Sequence, residues 1–236
     1  MQKRTDLYLV ALYLSQFQPN LRCNIAPAPQ NAAPAKSMVA QRRRAPYAFH
    51  MAKNRLSPEA WIAAGFRALA EKGPQALKAE PLARALETTK GSFYWHFADV
   101  PAFHAAMLNL WEERAVADVI ASLESEGNPI QRLRKLGSIA AEDAPADFGG
   151  PKIEPAIRAW ARDNALVTEA VDRVDAKRMG YLNELMAEIG LSNPELARIL
   201  YGALVGMQEL SYRDGASNAD ALATLVDLIL ALYEDS

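Results

Sequence analysis

The chain has 236 residues, 50% of them hydrophobic and 23% charged, which is typical of a globular protein with one large domain or two small ones. Its single cysteine, Cys23, excludes an intrachain disulfide. The net charge of -2 is uneven, because residues 1–50 carry +6, residues 51–97 carry +3 and residues 98–236 carry -11. This asymmetry favours an anionic partner at the front of the chain, and a solvated acidic surface without any partner is the alternative.

Residues 1–50 differ in composition from the rest of the chain. Residues 24–46 are rich in Pro, Ala, Gln and Asn and lack any helical or strand period, which predicts disorder. The apolar residues 7–14 resemble a short signal-peptide core, but no convincing cleavage site follows. Two other interpretations are that Met51 is the true start, or that the segment is a basic arm touching nucleic acid. We expect residues 1–52 to be a disordered or mis-annotated N-terminal extension.

From residue 57 the sequence is typical of helices separated by turns. Ser57 is a suitable N-cap for a first helix, and Pro58 at the first helical position loses no hydrogen bond. Gly73 and Pro74 predict the end of that helix.

Two short helices and a long one are predicted next. The first short helix covers about residues 79–86, and the second, capped by Thr88 or Thr89, ends near residue 95. Asp99 can cap the long fourth helix, which extends towards residue 126. Five further helical patterns cover residues 130–142, 154–163, 165–189, 194–213 and 218–234. No segment alternates convincingly as a strand, so the predicted fold class is all-α with about nine helices.

The stretch of residues 88–97, TTKGSFYWHF, carries the strongest functional signal. Two short helices joined by a turn form a helix-turn-helix, whose second helix lies in the major groove of DNA. Gly91 and Ser92 would allow the backbone to approach a duplex, while the hydroxyls and the lysine suit phosphates and base edges. Phe93 and Phe97 share one face and are expected to turn inward. A plain aromatic core is the alternative, which the preceding helix-turn-helix pattern disfavours.

Residues 55–110 resemble the DNA-binding domain of TetR-type (tetracycline-repressor-like) transcriptional regulators. Residues 90–97, KGSFYWHF, are similar to the recognition helix of that family, and residues 82–86, LARAL, are similar to its second helix. The resemblance implies a helix-turn-helix DNA-binding domain at residues 53–98. It also implies a helical ligand-binding and dimerisation domain at residues 99–236.

Eight residues are predicted to bind DNA: Lys78, Thr88, Thr89, Lys90, Ser92, Tyr94, Trp95 and His96. In the resembled family, the positions of Lys90, Ser92 and Trp95 commonly touch DNA, and those of Tyr94 and His96 contact phosphates. Two departures weaken the expected affinity. Glu87 stands where the family often has a glycine in the turn, so that either the glutamate adopts a strained left-handed conformation or the turn differs slightly. Val100 stands where the family often has a lysine, so that phosphate contact is absent.

The acidic rear of the chain supplies candidates for a ligand pocket and for a dimer interface. Gly202 and Gly206 lie four apart on one helix face, which suits either a tight dimer interface or a tight intrachain contact. The candidate pocket residues are Phe103, Met107, Trp111, Trp160, Tyr181 and Tyr201, and each also suits a plain core position.

The resemblance implies a mechanism. A homodimer would hold two recognition helices on a palindromic double-stranded DNA operator and block transcription. An unidentified small-molecule effector would bind the rear helices, move the fourth helix and lower DNA affinity. No cofactor and no metal site are predicted. The apolar run at residues 221–233 is interrupted by Asp227 and is too short to span a bilayer. The single cysteine suits a reducing compartment, and we expect a cytoplasmic protein.

Two other classes of function are weighed against DNA binding. An enzyme is the least favoured, since the three histidines form no metal-binding motif and Ser92 lacks a nucleophile elbow. A helical protein-interaction module with weakened DNA binding is the second alternative, which Glu80, Glu87 and Val100 make conceivable. A loss of duplex affinity with rising salt would distinguish a DNA reader from such a module.

Overall fold

The computed structural model describes residues 56–234, with side chains through residue 231. These residues belong to one compact unit, 51–236. The predictions for residues 1–52, including a start at Met51, lie outside the described part of the chain. Within residues 56–234 there are nine α-helices and no strand, as the sequence predicts. They are α1 Pro58–Lys72, α2 Ala79–Ala85, α3 Lys90–Tyr94, α4 Val100–Glu112 with its continuation, α5 Pro129–Ala141, α6 Ile153–Ala161, α7 Ala165–Ile189, α8 Pro194–Asp214 and α9 Ala219–Glu234.

The helix α4 is not a uniform α-helix. After Val100–Glu112 it passes through a π-helical turn, Glu113–Ala117, and it ends as an α-helix at Asp118–Leu123. The sequence predicts one long helix towards residue 126, so the helix ends slightly earlier and contains an irregularity that the pattern does not reveal.

Capping residues define the starts of the first helices as the sequence predicts. The hydroxyl of Ser57 accepts a hydrogen bond from the backbone N–H of Ala60 at 3.3 Å, and Pro58 occupies the first helical position. The carboxylate of Asp99 accepts from the backbone N–H of Ala102 at 2.7 Å at the start of α4. Polar side chains therefore satisfy N–H groups that the helices themselves cannot.

Two hydrophobic cores lie side by side within the described residues. The first combines α1 to α4 with α6 and the first half of α7, and its largest buried side chains are Trp61, Phe66, Phe93, Phe103 and Trp111. The second combines α5, the second half of α7, α8 and α9, and it includes Leu133, Leu185, Met186, Leu200 and Ile229. The 25-residue helix α7 contributes to both cores and joins them.

The first core extends past residue 98, where the sequence predicts the boundary between two domains. Phe103 and Met107 of α4 pack against Gly65 of α1, where an added Cβ would lie only 2.7 Å from the Phe103 ring and 2.6 Å from the Met107 sulfur. The first half of α4 is thus packed as part of the N-terminal helical group. The division into a DNA-binding domain and a ligand-binding domain at residue 98 stays a prediction.

No helix within residues 56–234 combines the length and the apolar character that crossing a membrane requires.

Candidate nucleic-acid interface

The turn between α2 and α3 closes the helix-turn-helix. The N–H of Thr88 donates to the carbonyl of Ala83 at 2.9 Å, and the N–H of Glu87 donates to the carbonyl of Arg84 at 3.2 Å. These two bonds form a Schellman motif, in which the residue after the C-cap adopts a left-handed conformation and is usually glycine. Here that residue is Glu87, with φ of 50°. The glutamate therefore takes up the strained conformation that the sequence raises as one of two outcomes.

The helix α3 has only five residues and depends on aromatic packing for its position. Phe93 is fully buried, and its ring centroid lies 5.3 Å from those of Trp61, Phe97 and Phe103. The contacts with Trp61 and Phe103 are edge-to-face, a favourable arrangement of aromatic rings. Phe97 is also buried, so both phenylalanines turn inward as the spacing predicts. This cluster fixes α3 against α1 and α4.

The hydroxyl of Thr89 caps α3 by accepting a hydrogen bond from the backbone N–H of Ser92 at 3.3 Å. The sequence leaves open whether Thr88 or Thr89 is the cap, and the structure assigns it to Thr89. The Thr89 side chain remains exposed, so capping does not remove it from the surface.

The predicted DNA-binding residues all keep some exposure. Trp95 is 79% exposed and Tyr94 is 46% exposed, which is unusual for large aromatic side chains. The Lys90 ammonium lies 5.8 Å from the Tyr94 ring centroid on the same face of α3. Lys78 is exposed at the start of α2. The remaining members are Thr89, which is exposed, and Thr88, Ser92 and His96, which are half-buried.

A groove opens beside α3, lined by Thr89, Gly91, Ser92, Trp95 and His96. A Cβ added at Gly91 would meet only the Thr89 hydroxyl, at an ordinary distance of 3.7 Å. Packing within the described chain therefore does not require a glycine at this position. The small residue instead leaves room in a groove lined by hydroxyl, imidazole and indole groups, which suits the edges and backbone of a duplex.

Comparison with known proteins agrees with this geometry. Residues 62–99 match the family model described as "Bacterial regulatory proteins, tetR family", a span that contains α2, the turn and α3. Residues 62–99 are therefore similar in sequence to the DNA-binding part of TetR-family regulators. This match confirms the resemblance predicted from residues 90–97 and 82–86.

Solved structures of transcriptional regulators share the fold of this chain over about three quarters of its length. A transcriptional regulator from Rhodococcus sp. Rha1 has 19% identity and a TM-score of 0.61, with 75% of this chain and 96% of that chain covered. A regulator from Saccharomonospora viridis in complex with choline has 14% identity and a TM-score of 0.62, covering 74% and 95%. The fatty acid degradation regulator FadR from Bacillus halodurans has 15% identity and a TM-score of 0.56, covering 74% and 97%. No curated protein sequence matches the chain.

The predicted pocket residues are distributed over both cores. Phe103, Met107, Trp111 and Trp160 are buried in the first core, while Tyr201 is buried in the second and Tyr181 is half-buried beside it. The indole N–H of Trp111 donates to Glu154 at 3.2 Å, and the Trp160 ring packs edge-to-face on His104 at 4.9 Å. The role of these six residues in binding a ligand stays a prediction.

A partly buried ionic network, formed by Glu154, Arg158, Asp175, Arg178 and Tyr201, lies where the two cores meet. Arg158 donates to Asp175 at 2.7 and 3.0 Å and to Glu154 at 3.2 Å. The Tyr201 hydroxyl donates to Asp175 at 2.7 Å and accepts from Arg158 at 3.0 Å. Of the five, only Tyr201 is among the residues selected from the sequence.

Mutual stabilisation explains how these charges tolerate burial. Burial opposes the charge on Arg158, but its hydrogen bonds to Asp175 and the charge of Glu154 raise its pKa. Burial likewise works against the Asp175 carboxylate, but hydrogen bonds from Arg158 and Tyr201 lower its pKa. In the sequence, the i, i+4 spacing of Glu154 and Arg158 on an otherwise apolar helix indicates one ion pair of this network.

Gly202 and Gly206 lie on an exposed part of α8. No atom lies within 4 Å of a Cβ added at either glycine, apart from their own neighbours and the helix backbone. The alternative of a tight intrachain contact is therefore wrong for these two residues. Their role in a dimer interface stays a prediction.

Proposed function

We propose that this chain is a TetR-family regulator, a homodimeric repressor that binds a palindromic operator and is released by a small-molecule effector in the cytoplasm. The observation that carries the DNA-binding part is the exposed, aromatic and hydroxyl-rich face of α3, supported from behind by Phe93. This five-residue helix packs on an aromatic cluster on one side and is exposed on the other. Such a helix suits insertion into the major groove of DNA.

The exposed residues divide into two kinds of contact. Lys78 and Lys90 neutralise phosphates, and Tyr94 and His96 donate hydrogen bonds to phosphate oxygens, which fixes the register of the protein on DNA. Thr88, Thr89 and Ser92 lie close enough to the groove to reach base edges. The Trp95 indole offers an apolar surface and one N–H donor at the same face.

A homodimer through α8 and α9 is supported by their exposed apolar surface. Ile199 and Leu210 of α8 are each 55% exposed, and Leu228 of α9 is 62% exposed. Gly202 and Gly206 lie between the two α8 residues in helical spacing, so a partner helix can approach the backbone closely. A twofold dimer then presents two recognition helices to two half-sites.

Effector release follows from the position of α4, whose first half packs with the DNA-binding helices. The choline complex of the Saccharomonospora viridis regulator shows a ligand held by a protein of the same fold. An effector in the rear part of the present chain would favour another arrangement of α4 and change the spacing of the recognition helices. The expected loss of affinity is about 5- to 150-fold, typical of allosteric coupling.

Selection of random duplexes with the purified full chain tests the proposal. Enrichment of a palindrome, with a Kd that rises linearly with salt on logarithmic axes, is the expected result. Failure to enrich any duplex at low salt would leave the helical protein-interaction module as the better interpretation. Enrichment of an asymmetric half-site by a monomer would retain DNA binding but remove the dimeric part.

A further inference from the structure

The π-helical turn of α4, Glu113–Ala117, separates the part of the helix packed with the DNA-binding group from its last turns. Such turns insert one residue into an α-helix and are frequent at functional positions. Converting the turn to an α-helix would shift the register of the following residues by one, a rotation of about 100°. The turn can therefore divide α4 into two segments with alternative relative orientations.

The segment before the π turn packs against the recognition helix. The Phe103 ring centroid lies 5.3 Å from Phe93 and 5.0 Å from Phe97, directly behind α3. Because packed aromatic cores resist gradual deformation, a displacement of Val100–Glu112 carries α3 with it.

Two arginines of α7 hold the region around the π turn. Arg173 binds the Glu112 carboxylate with two hydrogen bonds of 2.5 and 3.0 Å, just before the turn. The Nε of Arg178 donates to the backbone carbonyl of Ala115 at 3.2 Å, within the turn itself. Arg178 thus satisfies a carbonyl of the irregular segment from outside the helix.

Arg178 also connects this carbonyl to the ionic network. Its Nη1 donates to Glu154 of α6 at 2.8 Å and to the Tyr201 hydroxyl of α8 at 3.4 Å. One guanidinium therefore bridges α4, α6 and α8, and α8 carries the exposed Gly202 and Gly206. Burial opposes the Arg178 charge, yet Glu154 beside it keeps its pKa raised.

We infer that the π turn of α4 is a two-state joint and that Arg178 selects its state, so that rearrangement of the ionic network repositions the recognition helix. This inference rests on the proposed function. Arg178 acts as a positioning residue, since it reaches DNA only through α4. A rearrangement of α6 or α8 that draws Arg178 away from Ala115 would release the turn.

Arg178→Met tests the joint, with Arg134→Met as the matched control. Arg134 forms an ion pair with Asp227 at 3.1 Å between α5 and α9, outside the ionic network. We expect Arg178→Met to change the Kd for the selected operator at least about fivefold, the lower range of allosteric coupling. We expect the control to stay within twofold, and circular dichroism with thermal unfolding verifies that both variants are folded.

A distance measurement separates repositioning from loss of stability. Spin labels at Arg84→Cys in α2 and Glu184→Cys in α7, in a Cys23→Ser chain diluted with unlabelled protein, report the intrachain distance without DNA. We expect Arg178→Met to add a second distance to the wild-type distribution. An unchanged distribution together with an unchanged Kd would overturn the inference, whereas failure of the wild-type chain to bind any duplex would overturn the proposed function instead.

Hydrogen exchange of the wild-type chain keeps the inference testable if Arg178→Met does not fold. The expected result is that the selected operator alters amide protection at Glu113–Ala117 by at least about tenfold. Since α3 is the segment proposed to meet DNA, such a change at the π turn would be transmitted through the protein. Unchanged protection at the π turn, with clear protection at α3, would show that operator binding does not reach the joint.

Discussion

Glu87 shows how one residue can limit both stability and DNA affinity. It occupies the left-handed position of the Schellman motif with φ of 50°, where a side chain is strained, and it brings a negative charge into the turn before α3. Its presence in the sequence raises the possibility of strain, but only the backbone shows that the turn keeps its geometry and that the glutamate adapts.

Glu87→Gly is expected to raise the free energy of unfolding by about 1 kcal/mol, because glycine adopts the left-handed conformation without strain. Glu87→Gln is the matched control, since it removes the charge and keeps the strain. Urea unfolding should separate the two variants, whereas operator titration should show tighter binding for both. Equal stability of the glycine and glutamine variants would contradict the strain argument.

Lys90 and Tyr94 are expected to contribute to binding without contributing to folding. Lys90→Ala should weaken operator binding and lower the slope of log Kd against log salt by about one, since one phosphate contact is lost. Tyr94→Phe should weaken binding at every salt concentration. Lys177→Ala, an exposed lysine of α7, serves as the control for charge alone. Titrations at several salt concentrations that show the wild-type slope for Lys90→Ala would remove Lys90 from the phosphate contacts.

His104 links α4 to the loop before α2 and makes stability depend on pH. Its Nε2 donates to the carbonyl of Leu77 at 3.0 Å, and burial lowers its pKa, an effect that this bond partly offsets. A lowered pKa means that folding disfavours the protonated form, so stability is complete above about pH 6.5 and falls as the pH drops below it.

His104→Gln should reduce this loss of stability, because glutamine can donate to Leu77 but does not titrate. Thermal unfolding at pH 7.5 and 5.5 should show a smaller difference for the variant than for the wild-type chain. The same pH dependence in both would assign the acid sensitivity to other groups.

At the scale of elements, α3 has a buried side that fixes it and an exposed side that meets a partner. Phe93→Ala should lower the free energy of unfolding by about 3–5 kcal/mol, the usual cost of removing a buried phenylalanine. Trp95→Ala should leave unfolding within about 0.5 kcal/mol of wild type, as is usual for surface substitutions, and should still weaken operator binding. Chemical denaturation and operator titration of both variants check this separation. A large loss of stability in Trp95→Ala would contradict the exposed position.

The positions of the helices are largely predictable from the sequence. Ser57, Thr89 and Asp99 fix helix starts through local hydrogen bonds, and such local rules are readable along the chain. The π turn at Glu113–Ala117 carries no glycine or proline to predict it, since it depends on tertiary contacts such as that from Arg178.

The two candidate sites also differ in how far the sequence predicts them. The groove beside α3 is built from residues 89–96, which are contiguous, so the motif predicts most of it. The ionic network combines residues from α6, α7 and α8 that are up to 47 positions apart, between Glu154 and Tyr201. The i, i+4 spacing of Glu154 and Arg158 indicates one pair of the network, and only the packed structure brings the other charges to it.

At the scale of the whole molecule, the proposed dimer depends on the exposed stripe of α8. Gly206→Leu should convert the dimer to a monomer, because the added side chain would occupy space that the partner helix needs. Gly180→Leu is the matched control, since Gly180 on α7 also has no atom within 4 Å of an added Cβ. Analytical ultracentrifugation gives the mass, and an unchanged dimer in Gly206→Leu would place the interface elsewhere.

The uneven exposure of the four tryptophans gives the protein an intrinsic optical reporter. Trp61, Trp111 and Trp160 are at most 5% exposed, whereas Trp95 is 79% exposed on the groove of α3. Iodide in solution should therefore quench chiefly the emission of Trp95, and a bound duplex should shield it from the quencher. Occupancy of the recognition helix can then be followed in real time on unlabelled protein and unlabelled DNA.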